Sequence, residues 1–149
     1  MHKNLVMRGG IEYSKEETAF AEKIYKTMIS PGGEIGDQEK VSPYRSSHTY
    51  GSTDVGDVSF AVPTVGLRAA TWVPGTPVHS WQAVAAGGTS IGIKGMMIAA
   101  KTLAITGMQL IDDPEAISLA KKEFLNQRGL DFKYVPLLGN REPALDYRN

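Results

Sequence analysis

Apolar positions along the chain fall into distinct periods, and each period predicts an element. In 14-SKEETAFAEKIYKTMIS-30, Phe20, Ile24 and Met28 recur every four residues, the spacing that lines one face of a helix. Ser14 stands three residues ahead of Glu17, a capping-box arrangement in which side chains and backbone satisfy each other's free amides, so the helix has a marked start. Ser30-Pro31-Gly32-Gly33 ends it, and residues 31–50 are polar, aperiodic and glycine-containing, as expected of a long loop with at most a short strand. Val55, Val58 and Val62 then share one face of a short helix that Pro63 stops. Ser52 or Thr53 is its expected N-cap, with Asp54 in the first turn, where the peptide dipoles favour a carboxylate.

From Val65 the period changes to two. Val65, Leu67, Ala69, Thr71 and Val73 alternate with Gly66, Arg68, Ala70 and Trp72, which predicts a strand. Pro74-Gly75-Thr76-Pro77 turns the chain toward Val78-His79-Ser80, and a long Ala/Gly/Met helix is expected to begin between Trp81 and Ile91. Gly88, Gly92 and Gly95 would each cost ~1 kcal/mol relative to alanine in an isolated helix, so close backbone packing against a sheet is the expected compensation. Asp113 as N-cap, Pro114 at the first helical position and Gly129 past the end bracket another helix, with Ile117, Ala120 and Phe124 as its stripe. Residues 132–149 carry two prolines and no helical period and read as an extended tail, while residues 1–13 read as a linker remnant. This order is α/β with too few strands for a comfortable sheet, so the chain is expected to be part of a larger layer.

Composition narrows the function classes. The chain has 149 residues, 42% of them apolar, which suits one globular domain. Sixteen basic residues balance sixteen acidic ones, so no net field gathers nucleic acid or an anionic membrane, and neither is an expected partner. The absence of cysteine excludes disulfides and thiolate ligands and suits a reducing compartment; with only a three-residue apolar run near Met1, a cytoplasmic location is expected. Lys94, Lys101, Gln109 and five glycines interrupt the apolar region from Ala83 to Ile111, which therefore falls short of the ~18 consecutive apolar residues of a membrane span and reads as a buried helix.

Three chemistries can be tested on local pattern. Gly87 and Gly92 have the separation of a phosphate loop, but Ile93 intervenes before Lys94, so the Walker pattern is not met. No Gly-x-Ser-x-Gly elbow occurs, which leaves Ser52, Ser80 and Ser90 as caps and turns. For metal chemistry the relevant groups are His79, Asp54 and Asp57. A lone histidine after a turn is either a hydrogen-bonded structural residue or a ligand, and a catalytic zinc needs about three protein ligands.

Taken together, 51-GSTDVGDVS-59, the alternating segment and 77-PVHSWQAVAAGGTSIGIKGM-96 resemble the C-terminal catalytic segment of the aminoacylase/carboxypeptidase-G type di-metal peptidases, a family of amidohydrolases. The Val-Gly-Leu-Arg-Ala-Ala-Thr-Trp run and the Pro-Leu-Leu-Gly tail extend the likeness over residues 14–149, toward members that act on p-aminobenzoyl-glutamate. The resemblance implies the C-terminal part of a zinc-peptidase-like three-layer α/β/α catalytic domain without its lid (dimerisation) domain, residues 1–149 forming one partial catalytic domain. It also implies two co-catalytic divalent metals, zinc or manganese, and hydrolysis of an N-acyl amino acid.

On this resemblance His79 maps to a metal ligand, Gly51, Ser52 and Thr53 lie near the substrate carboxylate, and Asp54 has an orienting or structural role. The family's His-x-Asp motif, bridging aspartate and Glu-Glu pair have no counterpart here, so no catalytic residue is expected in this segment. The isolated chain is expected to be inactive, to bind no metal alone, and to be completed by an N-terminal catalytic segment or companion subunit. The alternative is a non-catalytic assembly or binding module derived from the same fold. Met96, Met97, Ile98, Leu103 and Ile105 cover more of one helix than so short a chain can bury, which predicts an exposed apolar face and self-association.

Overall fold

The capping box at Ser14 forms as its spacing predicts in the computed structural model, which describes residues 1–45, 50–51 and 53–146. The Ser14 hydroxyl accepts the Glu17 N–H at 3.3 Å, the Glu17 carboxylate accepts the Ser14 N–H at 2.7 Å, and helix α2 (Lys15–Tyr25) follows. Past its end the Thr27 hydroxyl donates to the Ile24 carbonyl, so the helix closes before Ser30-Pro31 is reached. Its buried line is Glu17, Ala21 and Ile24, with Phe20 packed at the edge of that line.

The chain divides into two compact units, Met1–Ser47 with Val65–Asp113, and His48–Thr64 with Pro114–Asn149. In the first, residues 2–8 form a helix, α1 (His2–Arg8), that periodicity does not predict. Its anchor is the buried Asn4 amide, which donates to Thr106 Oγ1 at 2.9 Å and Gln109 Oε1 at 2.7 Å on helix α5 (Ser90–Asp112). The predicted long helix is two: α4 (Trp81–Gly87) precedes α5, and the Thr89 hydroxyl donates to the Ala86 carbonyl at the break. Ala21, Ile24, Val73, Ala86 and Ile91 form the core, flanked by Tyr13, Phe20 and Trp72.

A polar tie joins α2 to α5. The Glu17 carboxylate accepts the Ser90 hydroxyl at 2.6 Å and the Lys94 ammonium, and Lys94 also donates to the Glu12 carbonyl. The hydrogen bond from Lys94, then those from Ser90 and the Ser14 amide, hold the Glu17 carboxyl down at about 2. Nearby, burial and the Glu17 charge push the Tyr13 phenol up to about 12.

Two expectations need correction. Among the described residues there are six α-helices and one 3₁₀ turn (Asp37–Glu39) but no strand, so the α/β class, and with it the three-layer α/β/α architecture, is not what this chain forms. The alternation of 65–73 specifies which way side chains face, yet a strand also needs a neighbour to receive its N–H and C=O groups. No such neighbour lies along it among the described residues. Gly95 packs instead against that unpaired segment: a β-carbon there would lie 2.2 Å from the Ala70 carbonyl oxygen.

The second correction concerns α5, which is not a buried helix. It buries Ile91, Gly92, Gly95, Thr102 and Thr106 and exposes Ile93, Met96, Met97, Leu103, Met108 and Ile111. The expected apolar face is therefore present at Met96, Met97 and Leu103, while Ile98 and Ile105 are half-buried. By length and composition α5 is long and apolar enough to cross a membrane.

In the second unit, aromatic rings join α3 (Val55–Ala61), α6 (Pro114–Arg128) and the segment that follows. Phe60 stacks on Phe132 at 5.3 Å and on Tyr134 at 6.4 Å between centroids. The Arg128 guanidinium lies 4.6 Å from the Phe124 centroid and donates to the Phe60 carbonyl. Of the expected α6 stripe, Ala120 and Phe124 are half-buried and Ile117 is exposed.

Candidate functional site

His79 follows the Pro74–Pro77 turn in the first unit and has φ +57°, the one left-handed non-glycine among the described residues. Histidine enters that region more readily than branched residues do. Ser80, the next residue, caps α4: its hydroxyl accepts the Ala83 N–H at 3.3 Å and donates to the Pro77 carbonyl at 2.7 Å. The imidazole itself is exposed and makes no hydrogen bond or ion pair with any described residue. Among the described residues, then, the hydrogen-bonded structural role has no partner to support it, and neither ring nitrogen is engaged.

One imidazole does not make a metal centre. Among the described residues no three His, Asp or Glu side chains converge, whereas a catalytic zinc draws on about three. A metal-bound histidine also usually donates its second N–H to a carboxylate or carbonyl, and His79 has no such acceptor among these residues. The described residues thus fit a metal only as the source of a single ligand.

The Gly51–Asp54 turn belongs to the second unit. Gly51, Thr53 and Asp54 are exposed, and Ser52 lies outside the described residues. The Val55 N–H donates to Thr53 Oγ1 at 3.3 Å, but Thr53 is not the N-cap expected of it or of Ser52, since that position falls to Asp54. Asp54 occupies the N-cap position without a side-chain capping bond, one residue earlier than the first-turn place predicted for it. Asp57 is engaged: it accepts the Tyr134 hydroxyl at 2.6 Å, which raises the Tyr134 phenol above its usual range.

Sequence reasoning did not single out Arg68. Within the first unit a cleft of about 670 Å³ opens between the 68–76 segment and the loop carrying Gly32, Gly33, Asp37 and Gln38. Asp37 is committed to the Glu34 N–H and to Lys40, which keep its carboxyl below the usual range. Arg68 lines the same cleft, exposed and unpaired among the described residues. The available signal was that Arg68 is the only charge in the alternating run. Gly75 shapes the rim: with φ +81°, and a β-carbon that would meet Pro31 Cβ at 2.6 Å, the turn admits no larger residue without strain.

No protein-family model matches the chain, and no solved structure does. The chain is similar to one of the subunits of p-aminobenzoyl-glutamate hydrolase from Escherichia coli (strain K12), 32% identical over 169 aligned positions. The match takes in 97% of this chain and 35% of that protein. The two sequences are related, and the chain spans about a third of the length of the curated relative it matches.

Proposed function

We propose that the chain supplies the C-terminal part of a metal-dependent amide hydrolase of the aminoacylase/carboxypeptidase-G type, and that it works with a further catalytic segment or companion subunit. The observation that carries this is the match along nearly the whole chain to one third of a hydrolase subunit. The substrate class is an N-acyl amino acid such as p-aminobenzoyl-glutamate, whose amide bond is broken by water to give an acid and an amine.

His79 contributes one imidazole to a divalent metal, zinc or manganese, whose other ligands come from the partner. Its exposure and its two free nitrogens support that role. When bound, such a metal polarises the scissile carbonyl and activates water. Gly51, Ser52 and Thr53 receive the substrate carboxylate, and Asp54 orients their turn. The chain alone, whose described residues bring no metal-ligating cluster together, is inactive. It acts in the cytoplasm, in keeping with its lack of cysteine.

The test mixes this chain with the polypeptide corresponding to the unmatched part of the E. coli protein. Release of p-aminobenzoate from p-aminobenzoyl-glutamate is followed with zinc or manganese added. Turnover is expected only in the mixture and is expected to be lost in His79→Ala. A fully active His79→Ala mixture refutes the ligand role, and association without turnover makes the chain a non-catalytic assembly module instead.

A further inference from the structure

We infer that Ser80 is a positioning residue for His79: its hydroxyl spans the turn from Pro77 to Ser80 and keeps His79 in the left-handed conformation from which it meets a metal. What the imidazole does there rests on the proposed function; how its backbone is held does not. A residue with a β-carbon leaves the left-handed region unless its surroundings impose it. At φ +57°, His79 takes a place in the turn, Val78-His79 between Pro77 and Ser80, that glycine or asparagine usually fills. Val78 and His79 are both exposed and make no hydrogen bond with any described residue, so nothing at the tip itself fixes that φ.

The side-chain tie across the turn is Ser80. Its hydroxyl donates to the Pro77 carbonyl at 2.7 Å and accepts the Ala83 N–H at 3.3 Å, which joins the residue before the tip to the first turn of α4. Capping a helix uses only the acceptor, whereas the bond to Pro77 uses the proton. The two bonds of one hydroxyl therefore bracket His79.

Both ends of the bracket are anchored. After the turn, the buried Gln82 donates to the Thr27 hydroxyl at 3.2 Å, just past the end of α2, and Ala83 and Ala86 are buried beside it in sequence. Before the turn, the Thr76 hydroxyl and N–H both donate to the carbonyl of Val73, a core residue. His79 thus carries an exposed imidazole on a backbone fixed from both sides. A single ligand that must meet ligands from another segment gains from this, because less freedom is lost when the metal binds.

The experiment compares Ser80→Ala, Ser80→Asp and Ser80→Thr in the full chain. Ionised aspartate caps a helix but has no proton for Pro77, so Ser80→Asp separates the clamp from the cap. Threonine keeps both bonds and suits the extended backbone of Ser80, φ −116° and ψ 158°. In the chain alone, the strong nuclear Overhauser effect between N–H and Hα that a positive φ gives is expected at His79 in the wild type and in Ser80→Thr. It is expected to weaken in Ser80→Ala and Ser80→Asp, with the helical circular dichroism of Ser80→Asp intact. Each chain is then mixed with the polypeptide for the unmatched part of the E. coli protein, and manganese affinity is read from the paramagnetic resonance of the free ion. Affinity is expected to fall by about tenfold in Ser80→Ala and Ser80→Asp and to be restored in Ser80→Thr. Ser80→Asp that keeps both the Overhauser effect and the affinity makes Ser80 a helix cap only and overturns the inference. A mixture that takes up no manganese, or holds it as tightly with His79→Ala, refutes the functional proposal and the positioning role with it. The Overhauser effect, read without metal, tells the two failures apart: present in the wild type and lost in Ser80→Asp, it leaves the clamp standing and removes only its purpose.

Discussion

Glu17→Ala is expected to cost the protein about 3 kcal/mol, although Glu17 lies in the first turn of a helix, where many carboxylates do little more than face the dipole. Loss of the capping box contributes ~1 kcal/mol. The Ser90 hydroxyl, 2.6 Å from a carboxylate that is itself buried, makes a charge-assisted bond of about 1.5 kcal/mol. Lys94 adds at most ~1 kcal/mol, because its side chain is 41% exposed, so water screens the pair and rehydrates the ammonium once Glu17 is gone. For a chain of this size such a loss lowers Tm by roughly 6–12 °C.

Urea unfolding followed by far-ultraviolet circular dichroism measures the difference. Acid supplies an internal control. The folded carboxyl is held down at about 2, below the 4.5 of an unperturbed glutamate, so its contribution is complete above the unfolded value and is lost as pH falls through about 2. The stability gap between wild type and Glu17→Ala should therefore narrow from about pH 4.5 downward. A loss under about 1 kcal/mol at neutral pH, or a gap that acid leaves unchanged, refutes the reasoning.

Gly95→Ala forces a β-carbon to within 2.2 Å of the Ala70 carbonyl oxygen. The strain, about 1–3 kcal/mol, is expected to match or exceed the ~1 kcal/mol gain in helix propensity, and a raised urea midpoint would contradict it. Tyr13 buries a hydroxyl that has no partner among the described residues, so Tyr13→Phe should be neutral or stabilising by up to about 1 kcal/mol in the same assay; a clear destabilisation would reveal an unseen partner. The Tyr134 phenol is held above its usual range chiefly by its hydrogen bond to Asp57, and Asp57→Asn is expected to bring its ultraviolet titration midpoint down, with no change counting against that bond.

The features legible in the chain were those encoded over a few residues. Ser14 and Glu17 start α2, Pro114 and Gly129 bracket α6, and Ser80 caps α4, because each hydrogen bond or backbone constraint closes within one turn. His79 was singled out only by the family resemblance, and neither its left-handed backbone nor its lack of a partner among the described residues could be read from its neighbours. Arg68 passed unnoticed, since a single arginine in an alternating run looks like a solvated surface charge until a cleft is seen beside it.

Helix starts and stops follow from composition along the chain because the helical hydrogen bond joins residues four apart. Other features depended on contacts between distant residues. Helix α1 is anchored through Asn4 to Thr106 and Gln109, more than a hundred positions away. The glycines of α5 are explained only where Gly92 meets the end of α4 and Gly95 meets Ala70. The alternating run at 65–73 has the side-chain period of a strand, yet a strand is a property of two segments. With no second segment among the described residues to accept its backbone bonds, the period of two produced an open edge rather than a sheet.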